Sequence, residues 1–152
     1  MSLTDPTKKM SKSDADPASR ILITDSKVEI RKKINGARTD SIQGISYDRE
    51  VRPGVSNLID ILSYMSTDAA MTPEAIAKEM AGADMSMKDL KARVADAVDE
   101  GLRDVRDRYQ YVMGRPSSYL EACSAEGRDV AMTRSSEMMR KVKVATGLES
   151  PA

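Results

Sequence analysis

The 152 residues suffice for one ordinary domain, or for one with a small appendage, and for a modest core. Twenty-four Lys and Arg balance twenty-four Asp and Glu, so no whole-molecule field draws the chain to nucleic acid or to a membrane, and any polyanion must be met locally. With no histidine, Ser/His and Cys/His nucleophile systems and histidine-containing zinc sites are excluded within these residues.

Residues 1–25 are rich in Ser, Thr, Asp, Pro and Lys, with no apolar period until Ile21-Leu22-Ile23-Thr24, which reads as a brief strand after a loop. Ser26-Lys27-Val28-Glu29 has the form of a capping box and opens a helix carrying Val28, Ile30, Ile34 and Ala37. Residues 38–53 turn irregular through Gly44 and Pro53. From Gly54 a broad apolar face of Val55, Leu58, Ile59, Ile61, Leu62 and Met65 predicts a helix, and Thr72-Pro73 starts another that carries Ile76, Ala77 and Met80.

Ser86 and Asp89 open the longest periodic run, Leu90, Val94, Val98, Leu102, Val105, Tyr109 and Val112, which stops at Gly114. Pro116-Ser117-Ser118 starts a last helix whose rather polar face runs through Leu120, Cys123, Gly127, Val130, Met138, Val142 and Ala145 to Gly147. The two long helices are expected to pair antiparallel across a tight turn. Gly101 and Gly127 inside them cost about 1 kcal/mol each relative to Ala, which close helix approach would offset.

Without Phe or Trp, a core with part of its filling from eleven Met is soft. The sole cysteine, Cys123, permits no internal disulfide and reads as a small buried apolar residue. The acids Asp96, Asp99, Glu100, Asp104 and Asp107 interleave with Arg93, Arg103, Arg106 and Arg108 at helical spacing, the pattern of surface ion pairs. Tyr109, Tyr111 and Tyr119 read as packing around the helix turn, with stacking on bases as the alternative. Arg31-Lys32-Lys33 and Arg140, Lys141 and Lys143 read as solvated faces near helix ends.

The charges are unevenly spread. Residues 1–53 hold eleven bases and eight acids, residues 54–114 seven and eleven, and residues 115–152 six and five, so the basic excess lies at the start. Neither Gly-x-Gly-x-x-Gly nor Gly-x-x-x-x-Gly-Lys occurs, which leaves Thr7-Lys8-Lys9-Met10-Ser11-Lys12-Ser13-Asp14 as the segment fit for phosphate. Two lysines three apart, with small hydroxyl residues between and after, let a mobile loop bring ammonium groups and hydroxyl donors onto one polyphosphate. Each ammonium–phosphate pair near ~4 Å is worth about 4 kcal/mol at an effective dielectric of roughly 20, before desolvation.

Lys9-Met10-Ser11-Lys12-Ser13 is identical to the KMSKS signature of class I aminoacyl-tRNA synthetases. The run that follows resembles the tryptophanyl-tRNA synthetases of the bacterial and organellar type: Ser13-Asp14, Ile21-Leu22-Ile23-Thr24-Asp25, Ile30-Arg31-Lys32-Lys33-Ile34 with Ala37, Thr39-Asp40, and Arg52-Pro53-Gly54-Val55-Ser56-Asn57-Leu58. Order and spacing agree over essentially the whole chain, to Gly147-Leu148, whereas the tyrosine-specific relatives share the signature but not this downstream run.

The resemblance implies ATP-dependent joining of tryptophan to tRNA(Trp) through an aminoacyl-adenylate, with Mg2+ accompanying ATP. It implies that Lys9 and Lys12 contact the phosphates and steady the leaving pyrophosphate, that Ser11 and Ser13 donate hydrogen bonds, and that Met10 lies near the adenine. It also implies a homodimer for the full-length enzyme, no membrane, and a home in the cytoplasm or mitochondrial matrix.

The family's His-Ile-Gly-His signature cannot occur in a chain without histidine. The chain is accordingly expected to be the carboxyl-terminal half, starting at an internal methionine and inactive alone. The expected fold is mainly α: residues 1–53 carry the KMSKS loop, one short β-strand and the loosely held end of the catalytic domain, and residues 54–152 a helical bundle-like anticodon-binding region. A stand-alone tRNA-binding module and a helical protein-interaction fragment are the alternatives.

Overall fold

The first helix is set by its cap. In the computed structural model, which describes residues 1–148, the Ser26 hydroxyl accepts from the Glu29 N–H, and the Glu29 carboxylate accepts from the Ser26 N–H at 2.7 Å. This reciprocal box opens α1 (Lys27–Gly36), which turns Ile30 and Ile34 fully into the core and leaves Val28 outside. Lys91 closes the other end, its ammonium donating to the carbonyls of Asn35 and Ala37 at 3.0 and 2.8 Å. Burial at that site holds its pKa below the usual lysine value.

Helix α2 (Pro53–Met65) begins with a proline in its first turn, and α3 (Pro73–Gly82) is capped by the Thr72 hydroxyl on Ala75 N–H at 3.2 Å. Ser86 and Asp89 exchange hydrogen bonds at the start of α4 (Met87–Met113) as the sequence pattern anticipates. Val55, Leu58 and Ile59 of α2, Ile76 and Met80 of α3, and Leu90, Val94 and Val98 of α4 are essentially inaccessible. Each such side chain contributes on the order of 1.5–3 kcal/mol relative to exposure.

The first third shares this core. Leu3, Ile30, Ile34, Ala37 and Ile45 are buried in the same cluster as the α2–α4 residues. The chain forms two compact units, Met1–Asp107 and a second from Arg108 onward.

The expected strand at Ile21–Thr24 is a turn, and the described residues contain no strand. A strand needs a neighbour's ladder to satisfy its backbone. Here the Leu22 N–H donates instead to the Asp25 carboxylate at 2.8 Å, and the Asp25 N–H donates to the Leu22 carbonyl at 3.1 Å. The same carboxylate accepts from Lys33 Nζ at 2.5 Å, so this polar knot is anchored on α1.

The last helix, α5 (Ser117–Ala145), departs further from the sequence pattern. None of its described side chains is buried. Cys123 is exposed, not packed inside. Gly101 does serve close approach, since a Cβ there would lie 2.9 Å from Met65 Sδ, whereas a Cβ on Gly127 would meet nothing within 4 Å.

Candidate functional site

The segment bearing Lys9 to Ser13 is a closed excursion from the core. Consecutive residues hold its two ends: the Ser2 N–H donates to the Lys8 carbonyl at 2.8 Å, and the Leu3 N–H donates to the Ser19 carbonyl at 2.9 Å. Leu3 in turn accepts from the Arg38 N–H at 2.8 Å, and both Leu3 and Ser19 are buried. The ends are therefore fixed while the crown stands in solvent.

The near stem is tied by Asp5. Its carboxylate accepts from the Thr7 hydroxyl at 2.6 Å, from the Thr7 N–H at 3.2 Å, and pairs with Lys8 Nζ at 3.0 Å. The Thr7 hydroxyl and then Lys8 lower its pKa to about 2, and the pair raises that of Lys8. The far stem is tied by Asp16, which caps the 3-10 turn Pro17–Ser19 through the Ala18 N–H at 2.9 Å, and by Arg20, which donates to the Asp14 carbonyl at 2.8 Å.

Lys9, Ser11, Lys12 and Ser13 are all exposed, and among the described residues no carboxylate pairs with Lys9 or Lys12. The Ser11 and Ser13 hydroxyls lie 3.1 Å apart, and the Ser13 N–H reaches Ser11 Oγ at 3.4 Å. Met10 turns inward and packs against the core. The structure thus separates three sequence-adjacent lysines: Lys8 is engaged in the stem, while Lys9 and Lys12 are two free ammonium groups on a crown of hydroxyl donors. Such a donor set suits phosphate oxygens. It does not suit a cation, and among the described residues no group of three or more acidic or thiol side chains is placed to hold one.

Beside the loop lies a support that sequence reasoning missed. Arg52 is 2% exposed, and its guanidinium donates to Asp40 from Nε and Nη2, to the carbonyls of Ile42 and Gly44, and to Ser46 Oγ, all at 2.9–3.1 Å. The arginine buckles residues 40–52 into one folded strap, with Gly44 at φ +75° making the turn. Those hydrogen bonds hold the Asp40 carboxyl below its ordinary value. Next to it, a Cβ on Gly54 would sit 2.2 Å from the Arg38 carbonyl oxygen, so glycine lets α2 pass directly against the strand of chain that holds Leu3. Thr39-Asp40 and Arg52-Pro53-Gly54 stood in the sequence, but neither period nor charge count links positions twelve apart through irregular chain.

The ion-pair reading of the acidic α4 residues is met for Asp96, Asp99 and Glu100, with partners partly from other elements, while among the described residues Asp104, Asp107 and Arg108 form no ion pair. Arg106 donates to Asp99 at 2.7 Å and to the Asp25 carbonyl at 3.1 Å, Arg103 pairs with Glu100, Arg93 with Glu79, and Arg31 with Asp96. Burial raises the Asp99 pKa, but the Arg106 hydrogen bond and the surrounding positive charges outweigh it and the net shift is downward.

The sequence profile of the family described as tRNA synthetases class I (W and Y) matches residues 1–103. A tryptophan–tRNA ligase of Thermosynechococcus vestitus is 40% identical over 151 residues, which cover 99% of this chain and 44% of that protein. The mitochondrial tryptophan–tRNA ligase of Schizosaccharomyces pombe is 38% identical, over 97% of this chain and 39% of its own length. The crystal structure of tryptophanyl-tRNA synthetase from Mycoplasma pneumoniae superposes with a TM-score of 0.75 at 26% identity, over 99% of this chain and 45% of that one. The chain therefore spans less than half the length of these relatives.

Proposed function

This chain belongs to the class I tRNA synthetases (W and Y), and from that premise we propose that it is the carboxyl-terminal part of a tryptophan–tRNA ligase. The observation that carries the proposal is the anchored loop whose crown presents Lys9 and Lys12 without a counter-charge among the described residues. Cations without an internal partner remain available to stabilise negative charge that develops later, once the loop closes over it. The charge in question is that of pyrophosphate as the tryptophan carboxylate displaces it from ATP.

In this reading Lys9 and Lys12 meet the phosphate oxygens, and the Ser11 and Ser13 hydroxyls or N–H groups complete the cradle. Met10 holds the loop down from the core side, where the adenine would lie. The Asp5–Thr7–Lys8 stem sets the direction in which the crown leaves the core. Mg2+ would be carried by the nucleotide's own phosphate oxygens, since the crown offers it no ligand. Helices α2 to α5 form the region that meets the anticodon part of tRNA(Trp), and the full-length enzyme acts as a homodimer in the cytoplasm or mitochondrial matrix. Among the described residues no helix is long and apolar enough to cross a membrane.

The 152 residues contain no histidine, so the family's second signature must come from outside them. Without the pocket that this signature completes, the loop has nothing to close upon, and each 1.4 kcal/mol or so of lost transition-state contact costs a decade of rate. ATP–pyrophosphate exchange with the purified chain should therefore show no tryptophan-dependent label incorporation. Adding the amino-terminal body of the family as a separate polypeptide should restore it. Tryptophan-dependent exchange by the chain alone would overturn this division of labour.

A further inference from the structure

Three of the five tyrosines, Tyr109, Tyr111 and Tyr119, fall within residues 108–120, which also carry Arg108 and Arg115 and not one Asp or Glu. In a chain of zero net charge this is a concentrated basic and aromatic patch. The packing expected of these tyrosines is absent: Tyr111 is 63% exposed, Tyr109 42% and Tyr119 38%. The Arg115 guanidinium lies over two rings at once, 5.2 Å from the centroid of Tyr111 and 5.1 Å from that of Tyr119. Among the described residues no carboxylate pairs with Arg115. The adjoining start of α5 has no side-chain cap, so its first-turn N–H groups lack a side-chain acceptor.

We propose that the Tyr111–Arg115–Tyr119 cluster is a stacking site for an unpaired RNA base, with the phosphate beside that base held by Arg115 and the open helix start. Two partly exposed rings, held by one cation that lies over both, form a platform set before any base arrives. Stacking of this kind tolerates any base but requires it to be out of a duplex. A protein partner would more naturally answer the positive charge with carboxylates and cover apolar side chains; the density of aromatic residues and the absence of acids within residues 108–120 favour RNA. The inference rests on the tRNA-charging reading above, yet the two fail separately. Exchange reads ATP at the lysine loop with no RNA present, and an RNA titration reads this cluster with no ATP present.

The test is fluorescence anisotropy of a labelled RNA hairpin with an open loop, titrated at low salt with the full 152-residue chain, alongside a blunt duplex of the same stem. Because the chain has no tryptophan, quenching of its tyrosine emission reports stacking in the same samples. The hairpin should bind more tightly than the duplex and quench that emission. Tyr111→Ala should weaken hairpin binding about tenfold, Tyr119→Ala comparably, and Tyr111→Phe by less than about twofold. Arg115→Gln should weaken binding and lower the slope of log affinity against log salt by about one. All three positions lie on exposed surface, and unchanged helicity by circular dichroism certifies the four variants. Equal affinity for hairpin and duplex, no hairpin binding, or parent-like binding by both alanine variants would each overturn the proposal.

Discussion

Two excursions of irregular, polar chain lie close in sequence and treat positive charge in opposite ways. Residues 40–52 fold inward around Arg52, whose donors all find protein acceptors and whose charge is answered by Asp40. Residues 8–19 are fastened only at their ends, and their crown presents Lys9 and Lys12 with no counter-charge among the described residues. Both stretches are rich in Ser, Asp and basic residues, so composition does not distinguish them. What separates them is whether the cation's hydrogen-bonding capacity is used up inside the fold. A cation with every donor engaged is architecture, whereas an ammonium group on a fixed stem with none engaged is available to an anion.

The comparison can be broken most sharply at Arg52. Arg52→Ala should cost about 3 kcal/mol in urea unfolding, because it removes a buried guanidinium that ties together Asp40, Ser46 and the carbonyls of Ile42 and Gly44. The same pair has a pH signature. Asp40 is depressed in the folded state, so the folded protein binds fewer protons there. Its contribution is fully present above the ordinary carboxylate value of about 4 and is lost as the pH falls below that toward the depressed value. Acid titration of unfolding free energy should show the parent losing stability in that window and Asp40→Asn losing correspondingly less.

Next in size is Gly54→Ala, where the added methyl meets the Arg38 carbonyl oxygen; α2 must shift, at about 1–3 kcal/mol. Ser26→Ala removes one half of the box that starts α1 and should cost about 1 kcal/mol by the same measurement. Smallest are Lys9→Ala and Lys12→Ala, each expected within about 0.5 kcal/mol of the parent. A large loss of stability in either lysine variant would place that side chain in the architecture and erase the distinction between the two excursions.

How far the sequence discloses all this depends on the range of the interaction. The Ser26–Glu29 box, the Thr72-Pro73 start and the Ser86–Asp89 start are local, so a window of four residues contains the whole cause, and the structure places α1, α3 and α4 there. Ile21–Thr24 misled because β-branched residues signal a strand only if a neighbouring strand exists, and Asp25 answers the backbone instead. In α5, too, periodicity shows only that a face exists, and none of its described side chains is buried. The candidate loop was legible because five consecutive letters carry it. Its supports, Leu3 with Ser19 and Arg38, or Arg52 with Asp40, join positions that no local pattern connects.

The claim at the centre is that the two unanswered ammonium groups serve chemistry and not folding. Its most direct test is ATP–pyrophosphate exchange by this chain completed with the family's amino-terminal body, comparing the parent with Lys9→Ala and Lys12→Ala. The account predicts that each variant folds like the parent and loses about a hundredfold to a thousandfold in kcat, with the KM for tryptophan little changed. Exchange at the parent rate in both variants would contradict it.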